Sequence, residues 1–239
     1  VSELDYSQFR VLTFDVVGTL IDFESGVLNS VRRLGGDAAS GLSDDNIFAA
    51  YKRGRSANPG RSSQAMAQVY RELAGALDLP ADDSRAESFQ LDVINWPAFS
   101  DSAAALARLR QHFRLVAMTN ADRTALTSYA QKLGWPFHDS VTFDETGTAK
   151  PDPQYFAYNR GRQYAFGYRF EEILHVAQSQ YHDIGVAHDL GYKVCWIERR
   201  QGQQGFGGTP DPERVTQPDA HFATLAELAD AVEAGMAIA

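Results

Sequence analysis

Four apolar runs in this 239-residue chain end in residues that could do chemistry. Asp15 closes the first run, Arg10 to Phe14, in which Val11, Leu12 and Phe14 are apolar. A carboxylate there sits where open α/β sheets bind ligands, at the carboxyl edge of the strands. Gly18 allows a tight turn and Thr19 brings a hydroxyl close to that carboxylate. By spacing alone, Asp15 is equally a residue that stops a strand and caps the next element. Thr119-Asn120 end the second run, Phe113 to Met118, and are also good turn and cap residues. Lys150 stands in T-G-T-A-K-P, where an ammonium near a carboxylate would favour its ionised, attacking form, or where a surface lysine could simply sit at a turn. Asp183 follows Ile173 to Ala177 through Q-S-Q-Y-H-D, with an N-cap as its plain alternative. His182 beside it need not face it.

The elements that would carry these residues alternate. Helical spacing covers 25–34, 43–53, 62–77 and 82–95, with no strand among them. Helices then alternate with strands: helix 101–111, strand 113–118, helix 122–133, strand 140–143, helix 153–166, strand 173–177, helix 183–190, strand 193–197 and a closing helix 225–234. Such alternation argues for βαβ units and a mainly parallel sheet. The expected fold is α/β: a Rossmann-like parallel sheet flanked by helices, residues 1–21 and 98–239. A helical cap, residues 22–97, is inserted after the first strand. Residues 199–213 are polar and Gly-rich, and read as a loop with little order.

Composition narrows the classes. A net charge of -9 argues against non-specific nucleic-acid binding. The single Cys195 lies in an apolar run, which suits core packing and a reducing compartment. No apolar stretch is long enough for a membrane span, and the polar start lacks a signal-peptide pattern. The expectation is a cytoplasmic enzyme that does not engage a membrane.

D-x-x-G-T-L at Asp15 to Leu20 resembles the nucleophile motif of the haloacid dehalogenase-like hydrolases. Thr119, Lys150 in A-K-P-D-P and Asp183 match the later motifs of that superfamily. The resemblance implies that Asp15 is the nucleophile, that Lys150 steadies it, and that Thr19, Thr119 and Asn120 hydrogen-bond around carboxylate and ester. It also implies that Asp183 orients or deprotonates water. Phosphatases of the superfamily carry a second Asp where this chain has Val17, and an acidic magnesium ligand where it has Gln178. Val17 cannot move a proton, and Gln178 is a poor ligand for a hard dication. Both departures resemble the L-2-haloacid dehalogenase branch, in which halide leaves without a proton. That likeness implies no metal and no cofactor, a small anionic organic acid as substrate, halide as product, and the homodimer that family behaviour suggests. Ser179 matches the branch; Gln178 and Gln180 replace a Ser and an Asn, and Phe156 stands where the branch has a tyrosine, with Tyr155 beside it.

The substrate carboxylate calls for a cation, and arginine suits it. In A-A-Y-K-R-G-R the first choice is Arg53, followed by Arg55 and Lys52, with Arg61 as a further possibility. Phe23, Tyr51, Trp96 and Phe99 are candidates for an apolar wall, or for core packing. Three other readings stay open: displacement of a non-halide group from C2, a small-molecule phosphatase or phosphonate hydrolase, and a non-enzymatic binding protein.

Overall fold

The computed structural model describes residues 4–237. Its centre is β1 (Val11–Phe14), a fully buried strand whose Leu12 and Phe14 face one apolar layer and Val11 the other. Four helices follow: α1 (Phe23–Gly35), α2 (Asp44–Ala57), α3 (Ser62–Ala76) and α4 (Asp83–Val93). Side-chain caps start three of them: Asp22 on α1, Ser43 on α2 and Asp82 on α4 each accept a backbone N–H of the first turn.

The chain then re-enters the sheet layer with α5 (Ser102–Leu109), β2 (Arg114–Met118), α6 (Arg123–Lys132), β3 (Asp139–Val141) and the one-turn α7 (Phe143–Thr146). It continues with α8 (Pro153–Ala165), β4 (Ile173–Ala177), α9 (Gly185–Asp189), β5 (Lys193–Ile197), β6 (Ala220–Phe222) and α10 (Leu225–Met236). The sheet order is β3-β2-β1-β4-β5-β6, and every pairing is parallel. β1 therefore lies between β2 and β4, so the carboxyl ends of these three strands adjoin one another.

Three readings change. The stretch 140–143 ends as a strand at Val141, because Thr142 caps α7 with Glu145 returning to its backbone. His221 and Phe222 belong to a sixth strand that the sequence pattern does not mark ahead of the closing helix. Asp183 does not begin a helix: Ser179 caps a wide helical turn, Gln180–Ile184, and Asp183 lies inside it. Cys195 is buried in β5, as expected of core packing. Among the described residues no helix is long and apolar enough to cross a membrane.

Candidate active site

The turn after β1 aims Asp15 into a cavity of about 320 Å³ between the sheet edge and the inserted helices. Asp15 N donates to Val176 O at 3.0 Å, which fixes it against β4. Gly18 has φ +97°, and a Cβ there would stand 2.8 Å from the Gln178 amide nitrogen, so a side chain is excluded twice over. Thr19 Oγ1 donates to Asp15 Oδ2 at 2.7 Å and accepts from Gln178 N at 2.9 Å. Its hydroxyl thus ties the end of β1 to the end of β4.

Lys150 is 3 % exposed and its ammonium is fully committed. Its three donors go to Asp15 Oδ1 at 2.9 Å, Asp183 Oδ1 at 2.6 Å and Met118 O at 2.8 Å. Asn120 does not bond the carboxylate, contrary to the expectation. Its amide closes a two-way clamp on the Lys150 backbone, accepting from Lys150 N at 2.7 Å and donating to Lys150 O at 2.9 Å. That geometry makes it a positioning residue for the lysine. Thr119 lines the cavity, and its hydroxyl accepts from Ala121 N at 3.1 Å. Tyr155 lies in the core instead, donating to Thr119 O at 2.7 Å.

The cluster holds two carboxylates on one ammonium, and the two respond differently. Burial pushes the Asp15 carboxyl above its usual range; Lys150 opposes this and Asp183 reinforces it. Asp183 is also desolvated, but Lys150 and a bond from His175 bring it down to about 2. Burial acts against the Lys150 ammonium, yet the two carboxylates raise its pKa. Asp183 is therefore the settled anion, and Asp15, whose ionised form is less favoured, is the more reactive one.

His175 went unread in the sequence because it lies between Leu174 and Val176 in a wholly buried strand. Its Nε2 is 3.0 Å from Asp183 Oδ1, its Nδ1 is 2.8 Å from Thr13 Oγ1, and the ring packs edge-on to Phe156. A proton on Nε2 satisfies both contacts: the ring donates to Asp183 and accepts from Thr13. Lys150 and His175 thus share one oxygen of Asp183. The other oxygen, Oδ2, is buried and has no hydrogen-bond partner among the described residues, so its acceptor capacity is unused. His182 turns to Ser179 instead, Nδ1 to Oγ 3.1 Å, and burial holds its pKa down to about 4, so it is neutral.

Val17 from the turn after β1, Phe23 of α1, Tyr51 of α2 and Trp96 beyond α4 meet as the apolar wall, with ring centroids of Phe23–Tyr51 and Phe23–Trp96 both 6.1 Å apart. Gly26 admits the indole: a Cβ there would lie 2.2 Å from Trp96 Cδ1. Phe99 is not part of this wall; the Arg199 guanidinium lies 4.2 Å above its ring, away from the cavity.

The cations are sorted by helical phase. Tyr51, Lys52 and Arg55 of α2 line the cavity, whereas Arg53, the first choice from sequence, falls on the exposed side. Arg61 is engaged with Asp144 at 2.5 Å.

The segment 199–213 is better anchored than its composition suggests. Arg199 bonds Thr19 O at 2.9 Å and pairs with Asp101, steadying the loop that carries Thr19. Arg200 and Gly208 N both bond Glu24 of α1, and Gln178 Nε2 donates to Thr209 at 2.9 Å. Gly208, Thr209 and Pro210 consequently form part of the cavity. Gln180 fastens the far end of this strap, accepting from Thr216 N at 2.9 Å. Both unusual glutamines thus hold the strap, although Gln178, like Ser179, also borders the cavity.

The donor set does not suit a hard dication. Lys150 already bridges the two carboxylates, and the Gln178 amide is turned to Thr209.

Comparison with known proteins gives one consistent set of relatives. The pattern describing haloacid dehalogenase-like hydrolases matches residues 9–191. Haloacetate dehalogenase H-2 of Moraxella sp. (strain B) is 26 % identical over 215 residues, covering 85 % of this chain and 92 % of its own. An (S)-2-haloacid dehalogenase of Pseudomonas putida is 24 % identical over 197 residues, covering 80 % and 85 %. The solved L-2-haloacid dehalogenase from Xanthobacter autotrophicus superposes with a TM-score of 0.72 at 17 % identity, over 94 % of this chain and 98 % of that one. At that identity the superposition speaks for the fold alone.

Proposed function

The chain belongs to the haloacid dehalogenase-like hydrolases, and from that membership we propose that it hydrolyses small 2-haloalkanoic acids to 2-hydroxy acids through an ester on Asp15. The observation that carries the reading is the pair of buried carboxylates on Lys150, one whose carboxyl burial pushes upward and one with an oxygen left unpaired. An Asp15 oxygen attacks C2 from the side opposite the halogen. The O–C2 bond forms as the C2–halogen bond breaks, and halide leaves with the bonding pair. No proton is required at this step, in keeping with Val17 beside the nucleophile.

Water held at Asp183 Oδ2 then attacks the Asp15 carbonyl carbon. Asp183 takes a proton from the water and passes it to the alkoxide oxygen as the acyl C–O bond breaks, so the 2-hydroxy acid departs with the original Asp15 oxygen and the remaining proton of the new Asp15 carboxyl goes to solvent. Lys150 neutralises charge on the ester oxygens, and Asn120 and Thr19 hold Lys150 and Asp15 in place. Arg55 receives the substrate carboxylate, and Phe23, Tyr51 and Trp96 keep C2 dry. In this scheme residues 1–21 and 98–239 supply the chemistry and residues 22–97 close over it. Halide as second product, a cytoplasmic setting and a homodimer complete the proposal; the homodimer is checked by sedimentation.

Halide release from a panel of 2-haloacids, with and without chelator, tests the reaction class. A single turnover in H₂¹⁸O should place the label in Asp15. Label passing directly into product would sink the covalent route, and chelator-sensitive phosphate release from phosphoesters would favour the phosphatase alternative. The two glutamines that departed from the branch pattern fasten the strap, which supports keeping halide as the leaving group.

A further inference from the structure

Besides Lys150, two cations line the cavity, where one substrate carboxylate needs one. Lys150 cannot serve the substrate, because all three of its donors are taken inside the protein. Lys52 and Arg55 remain, one helical turn apart on α2 and both lining the cavity. Arg55 has a single hydrogen bond, Nη1 to Asn58 O at 3.2 Å, and pairs with no carboxylate among the described residues. Among the described residues Lys52 meets Asp211 alone, at 3.4 Å, whose side chain is 69 % exposed and is not part of the cavity lining. Half-buried cations without firm anionic partners favour an anionic ligand.

The space is also generous. About 320 Å³ corresponds to about ten waters at roughly 30 Å³ each, more than a three-carbon haloacid and one hydrolytic water fill. The two cations differ in place. Arg55 lines the cavity together with the His182 turn, whose ring its charge reaches. Lys52 lies toward the strap, at the entrance, where Asp211 is found. Their positions on α2 differ by about 4.5 Å along the axis at 1.5 Å per residue, comparable to the reach between the two ends of a short diacid.

Resting on the dehalogenase reading, we propose that the preferred substrate is a 2-halo dicarboxylic acid of four or five carbons. Arg55 takes the C1 carboxylate with its planar fork, and Lys52 exchanges Asp211 for the distal carboxylate. The bonds made and broken are those of the displacement above, and the product is a 2-hydroxy diacid.

The test is kcat/KM by halide release for 2-chlorobutanedioate and 2-chloropropanoate, using the full chain. The parent enzyme should favour the diacid by about 10- to 100-fold, the range of one hydrogen bond to a charged group. Lys52→Met should bring that ratio toward one, whereas Arg55→Met should depress both substrates. A parent preference for the monoacid, or an equal fall for both acids in Lys52→Met, would overturn the diacid assignment while leaving dehalogenation intact. Absence of halide from either acid would instead strike the dehalogenase reading. Thermal shifts with unreactive butanedioate and propanoate then decide the binding claim by themselves. Stabilisation specific to butanedioate and lost in Lys52→Met supports it, and equal responses to the two acids refute it.

Discussion

Replacing Asp183 by Asn should separate the two halves of the reaction. The substitution keeps an oxygen where Oδ1 now accepts from Lys150 at 2.6 Å and His175 at 3.0 Å. Lys150 also keeps Asp15 at 2.9 Å, so the cluster should stay assembled. The amide nitrogen then occupies the place of Oδ2, the free acceptor, and cannot take a proton from water. Loss of a positioned base costs about 10²- to 10⁴-fold, or about 3–5 kcal/mol on the hydrolysis barrier at 1.36 kcal/mol per tenfold. Alkylation should not suffer likewise: Asp183 pushes the Asp15 carboxyl upward, so removing its charge makes Asp15 easier to ionise. The variant mixed with excess 2-haloacid should therefore release halide in a burst equal to the enzyme present. Intact mass and peptide mapping should find the alkyl-carboxylate unit on Asp15. Steady turnover within tenfold of the parent, without burst or adduct, would refute the base assignment. A folded variant with no burst would show that Asp183 is needed already in the first step.

Further predictions follow from the neighbours of that carboxylate. His175→Phe removes one of the influences holding Asp183 near 2, so the acid limb of ester hydrolysis should move to higher pH while alkylation changes less; an unmoved limb in pre-steady-state pH profiles would count against the role of His175. Asp15→Asn should abolish turnover yet raise the melting temperature at pH 7. The raised Asp15 pKa means that the folded state binds this proton more readily, so its contribution to stability falls as pH rises through the shifted value. One kcal/mol recovered would read as about 2–4 °C in a chain of this size, and an unchanged or lower melting temperature in calorimetry would contradict it. Asp183 acts in the opposite sense: its contribution is present above the usual carboxylate value near 4 and is lost as pH falls toward 2. Gly26→Ala should displace Trp96, whose ring would lie 2.2 Å from the new Cβ. The expected outcome is destabilisation of about 1–3 kcal/mol with weaker substrate binding, and an unaltered tryptophan emission and KM would refute it.

Much of the site was legible because one rule applied repeatedly: polar residues at the carboxyl ends of parallel strands converge. Asp15, Thr119 and Asp183 follow it directly, and Lys150 enters from the turn before α8. What stayed hidden depends on long-range pairing or on helical phase. His175 looks like one more residue of a buried strand, and only Asp183 and Thr13, brought alongside by folding, give it a purpose. Arg53 was preferred to Arg55 by sequence distance, although the apolar Tyr51 already marked the inward side of α2. The phase from Tyr51 points to Lys52 and Arg55. Residues 199–213 look unstructured by composition, because their anchors, Glu24 and Gln178, lie far away along the chain.

The central place of β1 also bears on how the chain comes off the ribosome. Val11 pairs with Arg114 on one side and Ile173 on the other, partners roughly 100 and 160 residues later. At about 5–20 residues per second, the first partner strand arrives about 5–20 seconds after β1 and the second some seconds later. During that interval an apolar strand with two open edges is a template for intermolecular pairing. The inserted helices α1–α4, built mainly from nearby contacts, can organise first and cover its inner side. Shortening or unfolding that insertion should then increase aggregation during synthesis more than during refolding of the finished chain.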